Sequence, residues 1–303
     1  MKDNENIIEA IRIVTTELKN TKKNIFKKIL ISFSIFSIII FGIFFNIYLK
    51  YGIKSVHIYI IVLSLLLPVA VFMIIYNMNF AINSYQLYLK KFKEIFIDSV
   101  LLSIDKSFTY SIYAPSTEFY DDIGIIHYDA VLKREDFVTG IYKNINFKFC
   151  EICGDIQNNG IRSHLLICDF YKKFNDKIVI IPKEFVDSFK GSEKFENVEF
   201  NKKFHILAEN KIEARYILTP SLIEKLNNLQ DGKRNLHISS VFENDKFYLF
   251  LENDKNLFEP IEKFKPPTIE LAEHFKKEFL EILSVIDELN LTLNIYPKTI
   301  LKS

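Results

Sequence analysis

The 303-residue chain contains no tryptophan, three cysteines and eight glycines. The low glycine content matters because the loops that cradle phosphates are built from glycine. Neither G-x-x-x-x-G-K-[ST] nor G-x-G-x-x-G occurs in the chain, and the hydrolase and metalloprotease patterns G-x-S-x-G and H-E-x-x-H are also missing. The sequence therefore predicts no cofactor and favours a protein that is not an enzyme.

Most of the chain has no excess of positive charge. The net charge is only +1, and residues 1–28 and 50–54 hold the basic excess, which leaves a net negative charge on residues 77–303. A nucleic-acid-binding domain would show a basic face. We therefore expect no nucleic-acid partner.

Two segments, 29–49 and 56–76, have no Asp, Glu, Lys or Arg and are almost wholly apolar. About 20 apolar residues in a helix cross the hydrocarbon core of a bilayer once. Residues 29–76 are therefore predicted to form a transmembrane hairpin in contact with the lipid bilayer. Pro68 lies inside the second segment, where a membrane helix tolerates it. A secretory signal peptide has only a short basic region before its apolar region, whereas 28 residues rich in charge precede the first apolar segment here.

The lysines around the hairpin predict its orientation. Eight lysines lie on its two outer flanks and two lie at its turn, so the positive-inside rule places both termini in the cytoplasm. The sequence thus predicts a multi-pass protein of the cell (inner) membrane. The flanking lysines are Lys19, Lys22, Lys23, Lys27, Lys28, Lys90, Lys91 and Lys93, and those of the turn are Lys50 and Lys54.

Amphipathic helices are predicted on both flanks of the hairpin, over 1–28 and over 77–105. Each has apolar residues at helical spacing. We expect the two stripes to pack against each other, with a helix lying on the membrane surface as the alternative for the first. The stripes are Ile7, Ile8, Ile11, Val14 and Leu18, and Tyr85, Leu89, Phe92, Phe96, Val100 and Ser103.

Residues 106–303 are predicted to form a cytoplasmic α+β domain, an antiparallel sheet with packed helices. Strand patterns cover 146–153, 163–171 and 177–181, and the clearest pair is a hairpin of 236–242 with 247–251. Asn210 and Thr219 are predicted to cap two short helices, with Glu213 completing a capping box at the first and Pro220 opening the second. A long helix should start at Thr268 with its core face on Ile269, Ala272, Phe275, Phe279, Ile282, Ile286 and Leu289, followed by a strand-like tail at 291–295.

Four potential zinc ligands lie close together in sequence: Cys150, Cys153, His164 and Cys168. Tetrahedral zinc needs four such ligands. However, a spacing of three within a strand puts Cys150 and Cys153 on opposite faces, and the spacing fits no common zinc finger. Burial of ordinary thiols in the core is favoured over a metal site.

Acidic residues supply the remaining candidates for chemistry. An enzyme would need an active site assembled from scattered groups such as Asp121, His127, Glu135 and Asp136, and the pair Asp121-Asp122 is more typical of a solvated loop. Glu213 and Arg215 are interpreted as a buried ion pair with a structural role.

The run 212–220 resembles the central motif of a bacterial membrane-protein family, domain of unknown function 3137. Further similar stretches occur in the same order at 147–151, 177–182, 256–260 and 288–295, so that the resemblance covers most of the chain, including the paired apolar segments. Cys150 and Tyr296 depart from the pattern, where the family usually has Ser and Trp. The resemblance implies a shared fold and topology and no activity. The motif residues are Glu213, Ala214, Arg215, Tyr216, Thr219 and Pro220.

Two classes of function follow. The first is a binding, adaptor or sensor domain held at the membrane, whose partner is another protein, or a second copy of the chain, bound through the hairpin or an aromatic-rich sheet face. The second is a membrane-tethered enzyme, or a small zinc-stabilised domain. The lack of cofactor patterns and of nucleophile–base spacing favours the binding domain.

Overall fold

The computed structural model describes residues 2–52, 56–115, 133–156, 159–169, 176–185, 194–232, 237–252 and 256–288. The helices are α1 (Lys2–Tyr51), α2 (Val56–Lys91), a π-helical turn (Phe92–Ile97), α3 (Asp98–Ile104), a 3-10 turn (Lys183–Phe185), α4 (Val198–Lys203), α5 (Lys211–Ile217), α6 (Pro220–Gly232) and α7 (Ile269–Glu288). The strands are β1 (Thr109–Tyr113), β2 (Lys133–Tyr142), β3 (Ile145–Ile156), β4 (Asn159–Asp169), β5 (Ile178–Pro182), β6 (Phe204–Ala208), β7 (His237–Glu243) and β8 (Lys246–Glu252).

The described strands form one eight-stranded sheet in the order β1-β2-β3-β4-β8-β7-β5-β6. Each neighbouring pair is antiparallel. The predicted α+β class, with an antiparallel sheet and packed helices, is confirmed. The sequence patterns located β3, β4, β5 and the β7–β8 hairpin, and they missed β1, β2, β6 and α4.

The two faces of the sheet have separate apolar cores. The larger core joins the sheet to every long helix, and its aromatic centre contains Phe108, Phe147, Phe149 and Phe279 in edge-to-face contact. The smaller core lies on the second face, where Cys150, Leu165, Val241 and Phe250 are buried together. Strand residues alternate between these faces with a period of two.

α1 and α2 form a pair of long apolar helices. α1 has 50 residues, so that it is about 75 Å long at 1.5 Å per residue. Both helices are long and apolar enough to span a membrane, by length and composition. In the most apolar stretch of α1 no residue is buried, and in that of α2 only 6% of residues are buried. The paired segments at 29–49 and 56–76 thus lie outside the folded core.

The beginning of α1 packs on the body beside the end of α2. Ile7, Ala10, Val14 and Leu18 are buried in the larger core together with residues 85–101. The side chains of Lys91 and Glu17 form an ion pair of 2.9 Å across the two helices. The expected packing of the two amphipathic stripes is therefore confirmed, although Ile8, predicted in the buried stripe, is 52% exposed.

Local signals placed several element ends correctly. Asn244, in the β7–β8 turn, has a φ of 56°, a conformation that asparagine tolerates well. The Thr268 hydroxyl accepts the Leu271 N–H at the start of α7. The core face of α7 is as predicted at its described positions except at Ile269, which is 48% exposed. Leu289 and the predicted strand at 291–295 lie outside the described residues.

Candidate functional site

A cluster of charged and polar side chains, three of them buried and two partly exposed, lies where the end of α2 meets the sheet. It comprises Lys93, Tyr110, Asp136, Glu151 and Glu259, and is called here the joint cluster. Lys93 comes from the π-helical turn between α2 and α3, and its side chain is 7% exposed. Its Nζ lies 2.7 Å from Asp136 Oδ2 and 3.8 Å from Glu259 Oε1. Lys93 is one of the eight flanking lysines from which the membrane topology was predicted. In the structure its side chain is instead buried against the sheet.

Asp136 reaches this cluster because of a β-bulge. The pairing of β2 with β3 shifts between Glu135 and Val138, which places two residues of β2 against one of β3. Asp136 has a φ of 54° there, in the left-handed region, where Asp is among the few non-glycine residues often found. Its side chain is 1% exposed, and its Oδ1 accepts the Tyr110 hydroxyl. The bulge thus turns a carboxylate toward the helices.

Glu151 and His164 are directly opposite each other on β3 and β4. Glu151 Oε1 accepts the backbone N–H of Leu257 at 2.7 Å and lies 3.8 Å from His164 Nε2. Burial, and next the charge of Asp136, raise the pKa of Glu151 to about 8. The protonated carboxyl is therefore the favoured form of Glu151 at neutral pH.

Burial is also the largest influence on the central ion pair. It raises the pKa of Asp136, against the opposing effect of Lys93. It works to lower the pKa of Lys93, but the charge of Asp136 and the hydrogen bond to it outweigh burial, so that this pKa is raised. Each member of the pair thus favours the charged form of the other, and burial opposes both charges. A buried pair of this kind is costly to break from one side only.

The joint cluster is not a substrate site. Lys93, Asp136 and Glu151 are each less than 10% exposed, and a substrate must reach the group that acts on it. Of the acids considered for an enzyme, Asp136 lies in the cluster, and Glu135 precedes it in β2. Asp121, Asp122 and His127 lie outside the described residues. The arrangement links the end of the helix pair to the sheet through a buried ion pair.

The four potential zinc ligands do not converge. Cys150 is buried in the core of the second face, whereas Cys168 is buried in the larger core on the helix-covered face. Cys168 is four residues from His164 along β4, about 13 Å in a strand. Cys153 accepts a 3.8 Å hydrogen bond from Arg162. Within the described ranges no group of three or more His, Cys, Asp or Glu could hold a metal.

Burial also opposes metal chemistry at two of these thiols. It raises the pKa of Cys150 and of Cys168, and a metal binds the thiolate rather than the thiol. The favoured interpretation of these two cysteines as core residues agrees with their complete burial.

Most side chains of the 212–220 motif have a role in folding. Asn210, just before it, caps α5 by accepting the N–H groups of Ile212 and Glu213. The Glu213 carboxylate accepts the Asp176 N–H at 3.1 Å. Ala214 is fully buried in the larger core.

The second half of the motif builds the start of α6. Thr219 Oγ1 accepts the Leu222 N–H at 3.3 Å, and Pro220 is the first residue of the helix. Ile217 and Leu218 are buried. Both predicted caps are thereby confirmed.

Arg215 and Tyr216 are different, because both are exposed. The prediction of a buried ion pair between Glu213 and Arg215 is wrong, because Glu213 is buried but Arg215 is exposed. The two residues are only two apart in α5, so that they project from different sides of the helix, and the side of Glu213 is the one that faces the body. Arg215 instead lines a cavity of about 430 Å³, called here the motif pocket. Its lining residues are Lys194, Phe195, Glu196, Asn197, Arg215, Leu218, Pro220 and Ile223.

A second cavity, of about 680 Å³, lies on the face of the sheet opposite the helices and is called here the sheet groove. Phe137, Ile167 and Tyr248 supply apolar walls. Lys148 and Lys246 add positive charge around Asp169, and its carboxylate is bound by Lys246 and by the Asn146 amide at 2.7 Å. The other lining residues are Thr139, Gly140, Ile141 and Phe147.

Together the fold and these sites define an α+β protein in which a pair of long apolar helices is joined to the sheet by buried contacts. Residues 162–291 match the sequence model of a family described as protein of unknown function (DUF3137). The resemblance predicted from residues 212–220 is therefore confirmed. The match takes in the motif, the stretches 177–182 and 256–260 and the start of 288–295, whereas the stretch 147–151 and the helix pair lie outside the matched residues.

No curated protein matches the chain at a significant level. Among solved structures, the crystal structure of the mycobacterial trehalose monomycolate transport factor A, TtfA, is similar with a TM-score of 0.31 and 10% sequence identity, over 62% of this chain and 92% of that chain. This score is too low to support a conclusion about fold or function.

Proposed function

We propose that this protein is a membrane-anchored binding protein, whose α+β body is held on the cytoplasmic side by the α1–α2 hairpin. The carrying observation is the exposed apolar surface of the helix pair. Phe41, Leu65 and Phe72 are between 66% and 71% exposed. Water is a poor solvent for two adjoining helices of this kind, and lipid is a good one.

The contacts between the two helices support a boundary near Lys28 and Asn77. The Asn77 amide donates to Ser32 Oγ at 3.1 Å. Lys28 Nζ lies 3.6 Å from the centroid of the Phe80 ring and 4.7 Å from that of Tyr76. A lysine and an aromatic ring together are typical of the membrane–water interface. Without the buried Lys93, the lysine count is seven on the outer flanks against two at the turn, which still favours cytoplasmic termini.

The sheet groove is the proposed site for a protein partner. Tyr85, which follows the apolar segment of α2, contacts Phe264 just before α7, with the ring centroids 4.5 Å apart. Further along both helices Phe96 contacts Phe275, so that α7 runs away from the apolar segments. Near the end of α7, Asp287 accepts the Tyr142 hydroxyl at 3.0 Å. The β2–β3 turn beside the groove is therefore at the far end of the body from the bilayer. A groove of this volume with apolar walls and a few polar groups fits a peptide segment. The excess of lysine favours a segment with an acidic residue.

Cysteine labelling tests the anchoring. Single cysteines at Ser55 and Ser303, in chains whose native cysteines are replaced by serine, are treated with a membrane-impermeant maleimide in intact cells. We expect labelling at position 55 and none at position 303 until the cells are opened. Labelling at 303 but not at 55 in intact cells would reverse the topology. Release of the chain by alkaline carbonate would exclude spanning.

Photo-crosslinking tests the groove. A photoreactive amino acid replaces Asn146 in the groove or, as a control, Glu273 on the exposed side of α7, and native membranes are irradiated. We expect one adduct of defined mass from position 146 that is lost when Lys148→Glu is added. The same adducts from both positions, or an adduct from 146 that is indifferent to Lys148→Glu, would show that the groove is not the binding site.

A further inference from the structure

We propose that the motif pocket binds a single carboxylate carried on an apolar group, with Arg215 as its charged anchor. This site is separate from the sheet groove, and it requires neither the proposed topology nor the proposed partner. The proposal begins with the motif itself. The folding roles described above involve Glu213, Ala214, Thr219 and Pro220, whereas the exposed Arg215 lines a cavity.

The wall of the pocket formed by Phe195 and Asn197 is held in place before any ligand arrives. The Asn201 side chain binds both backbone groups of Phe195: its Oδ1 accepts the N–H at 2.9 Å, and its Nδ2 donates to the carbonyl at 2.5 Å. Asn197 is fixed because its Oδ1 accepts the Phe200 N–H at 2.9 Å. The Phe195 ring stands edge-on to Phe200 with the centroids 6.2 Å apart. A wall fixed in this way loses little conformational entropy when a ligand binds.

The composition of the pocket points to the ligand. Phe195, Leu218, Pro220 and Ile223 provide apolar surface, which suits a small hydrocarbon or aromatic group. Arg215 presents a planar guanidinium, whose geometry matches the two oxygens of a carboxylate.

The charges around the pocket favour one negative charge on the ligand. Lys194 and Arg215 are positive and Glu196 is negative, so that the lining carries one net positive charge. A doubly charged phosphate would leave one negative charge uncompensated beside Glu196. The volume of about 430 Å³ is at the lower end of the range for ligand pockets. A small apolar acid fits, and so does the last residue of a peptide with a free C-terminus.

The test uses the full chain in lipid nanodiscs and two probes, 3-phenylpropionate and N-acetyl-Gly-Phe with a free carboxylate. Binding is measured by calorimetry and by saturation-transfer NMR, with empty nanodiscs as the blank and 3-phenylpropionamide as the neutral analogue. We expect saturable binding of at least one acid and at least tenfold weaker binding of the amide. Tighter binding of the peptide identifies a chain terminus as the natural source, and tighter binding of the free acid identifies a small metabolite.

Arg215→Gln removes the charge and leaves a shorter, neutral polar side chain, so we expect at least a tenfold loss of affinity, with partial recovery in Arg215→Lys. Lys211→Gln removes a charge from the exposed start of the same helix and should change affinity less than twofold. Because Arg215 is exposed, thermal melting should confirm that the variant is folded. Equal binding by wild type and Arg215→Gln, equal binding of acid and amide, or no saturable binding of either acid would overturn the proposal. None of these outcomes would bear on the membrane topology.

Discussion

Lys93→Met should strongly destabilise the protein, because it leaves Asp136 with a buried charge and no cation beside it. The Asp136 side chain is 1% exposed and its Oδ2 lies 2.7 Å from Lys93 Nζ. Removal of one member of a buried ion pair costs about 3–5 kcal/mol. Methionine nearly keeps the volume of the lysine stem, so that little of this loss should come from a cavity.

The loss should depend on pH in a definite direction. Without Lys93, burial of Asp136 is opposed only by hydrogen bonds such as that from Tyr110, so that the pKa of Asp136 in the folded variant lies further above its unfolded value. A carboxyl with a raised folded pKa adds stability at low pH, and this stability is lost as the pH rises. Lys93→Met should therefore be less destabilising at pH 5 than at pH 8.

A double variant separates the ion pair from general damage to the fold. Asn at position 136 tolerates the positive φ and still offers an oxygen to Tyr110. Lys93→Met with Asp136→Asn should therefore recover much of the stability lost in Lys93→Met, with a coupling energy of about 0.5–3 kcal/mol. Lys91→Met is the matched control, because Lys91 pairs with Glu17 at the surface and such pairs contribute about 0–1 kcal/mol.

The assay is urea unfolding of the full chain in nanodiscs, followed by the circular dichroism of the sheet. The full chain is needed because the larger core includes residues of α1 and α2. A Lys93→Met variant within about 1 kcal/mol of wild type, or no more destabilised than Lys91→Met, would refute the reasoning about the buried pair.

Three further predictions use the same unfolding assay. Gly140→Ala should cost about 1–3 kcal/mol, because a Cβ at this position would lie 2.5 Å from Phe108 Cδ1; an unchanged urea midpoint would contradict the close contact. Burial raises the pKa of Glu151 from 4.5 to about 8, so wild-type stability should fall as the pH rises through this window and Glu151→Gln should flatten the dependence; equal slopes would show that Glu151 is not the group responsible. Thr219→Ala removes the acceptor for the Leu222 N–H and should cost about 1 kcal/mol, whereas Thr219→Ser should be nearly neutral; equal losses in the two variants would exclude capping as the cause.

Features that depend on neighbours in sequence were predicted well. The apolar segments, the caps at Asn210 and Thr219, the β7–β8 turn and the core face of α7 each follow from residues within a few positions of one another. The family resemblance is also a feature of neighbouring residues, since it rests on the continuous run 212–220. β1, β2 and β6 were missed because none of them has a continuous β-branched run like that of the equally short β5, and a short apolar run alone does not distinguish a strand from other structure.

The sequence alone determined that the chain has two long apolar helices, an α+β body and no familiar cofactor pattern, because composition, hydrophobic period and capping are local properties. Only the tertiary structure decided that Lys93 is buried against Asp136, that Arg215 stands at a pocket, and that Cys150 and Cys168 lie on opposite faces of the sheet. Lys93 and Asp136 are 43 positions apart, and a β-bulge and a π-helical turn bring them together. The bulge and the π-helical turn each insert one extra residue into a regular strand or helix, which changes the direction in which the following side chains point. Packing between distant parts of the chain decides where such an insertion occurs.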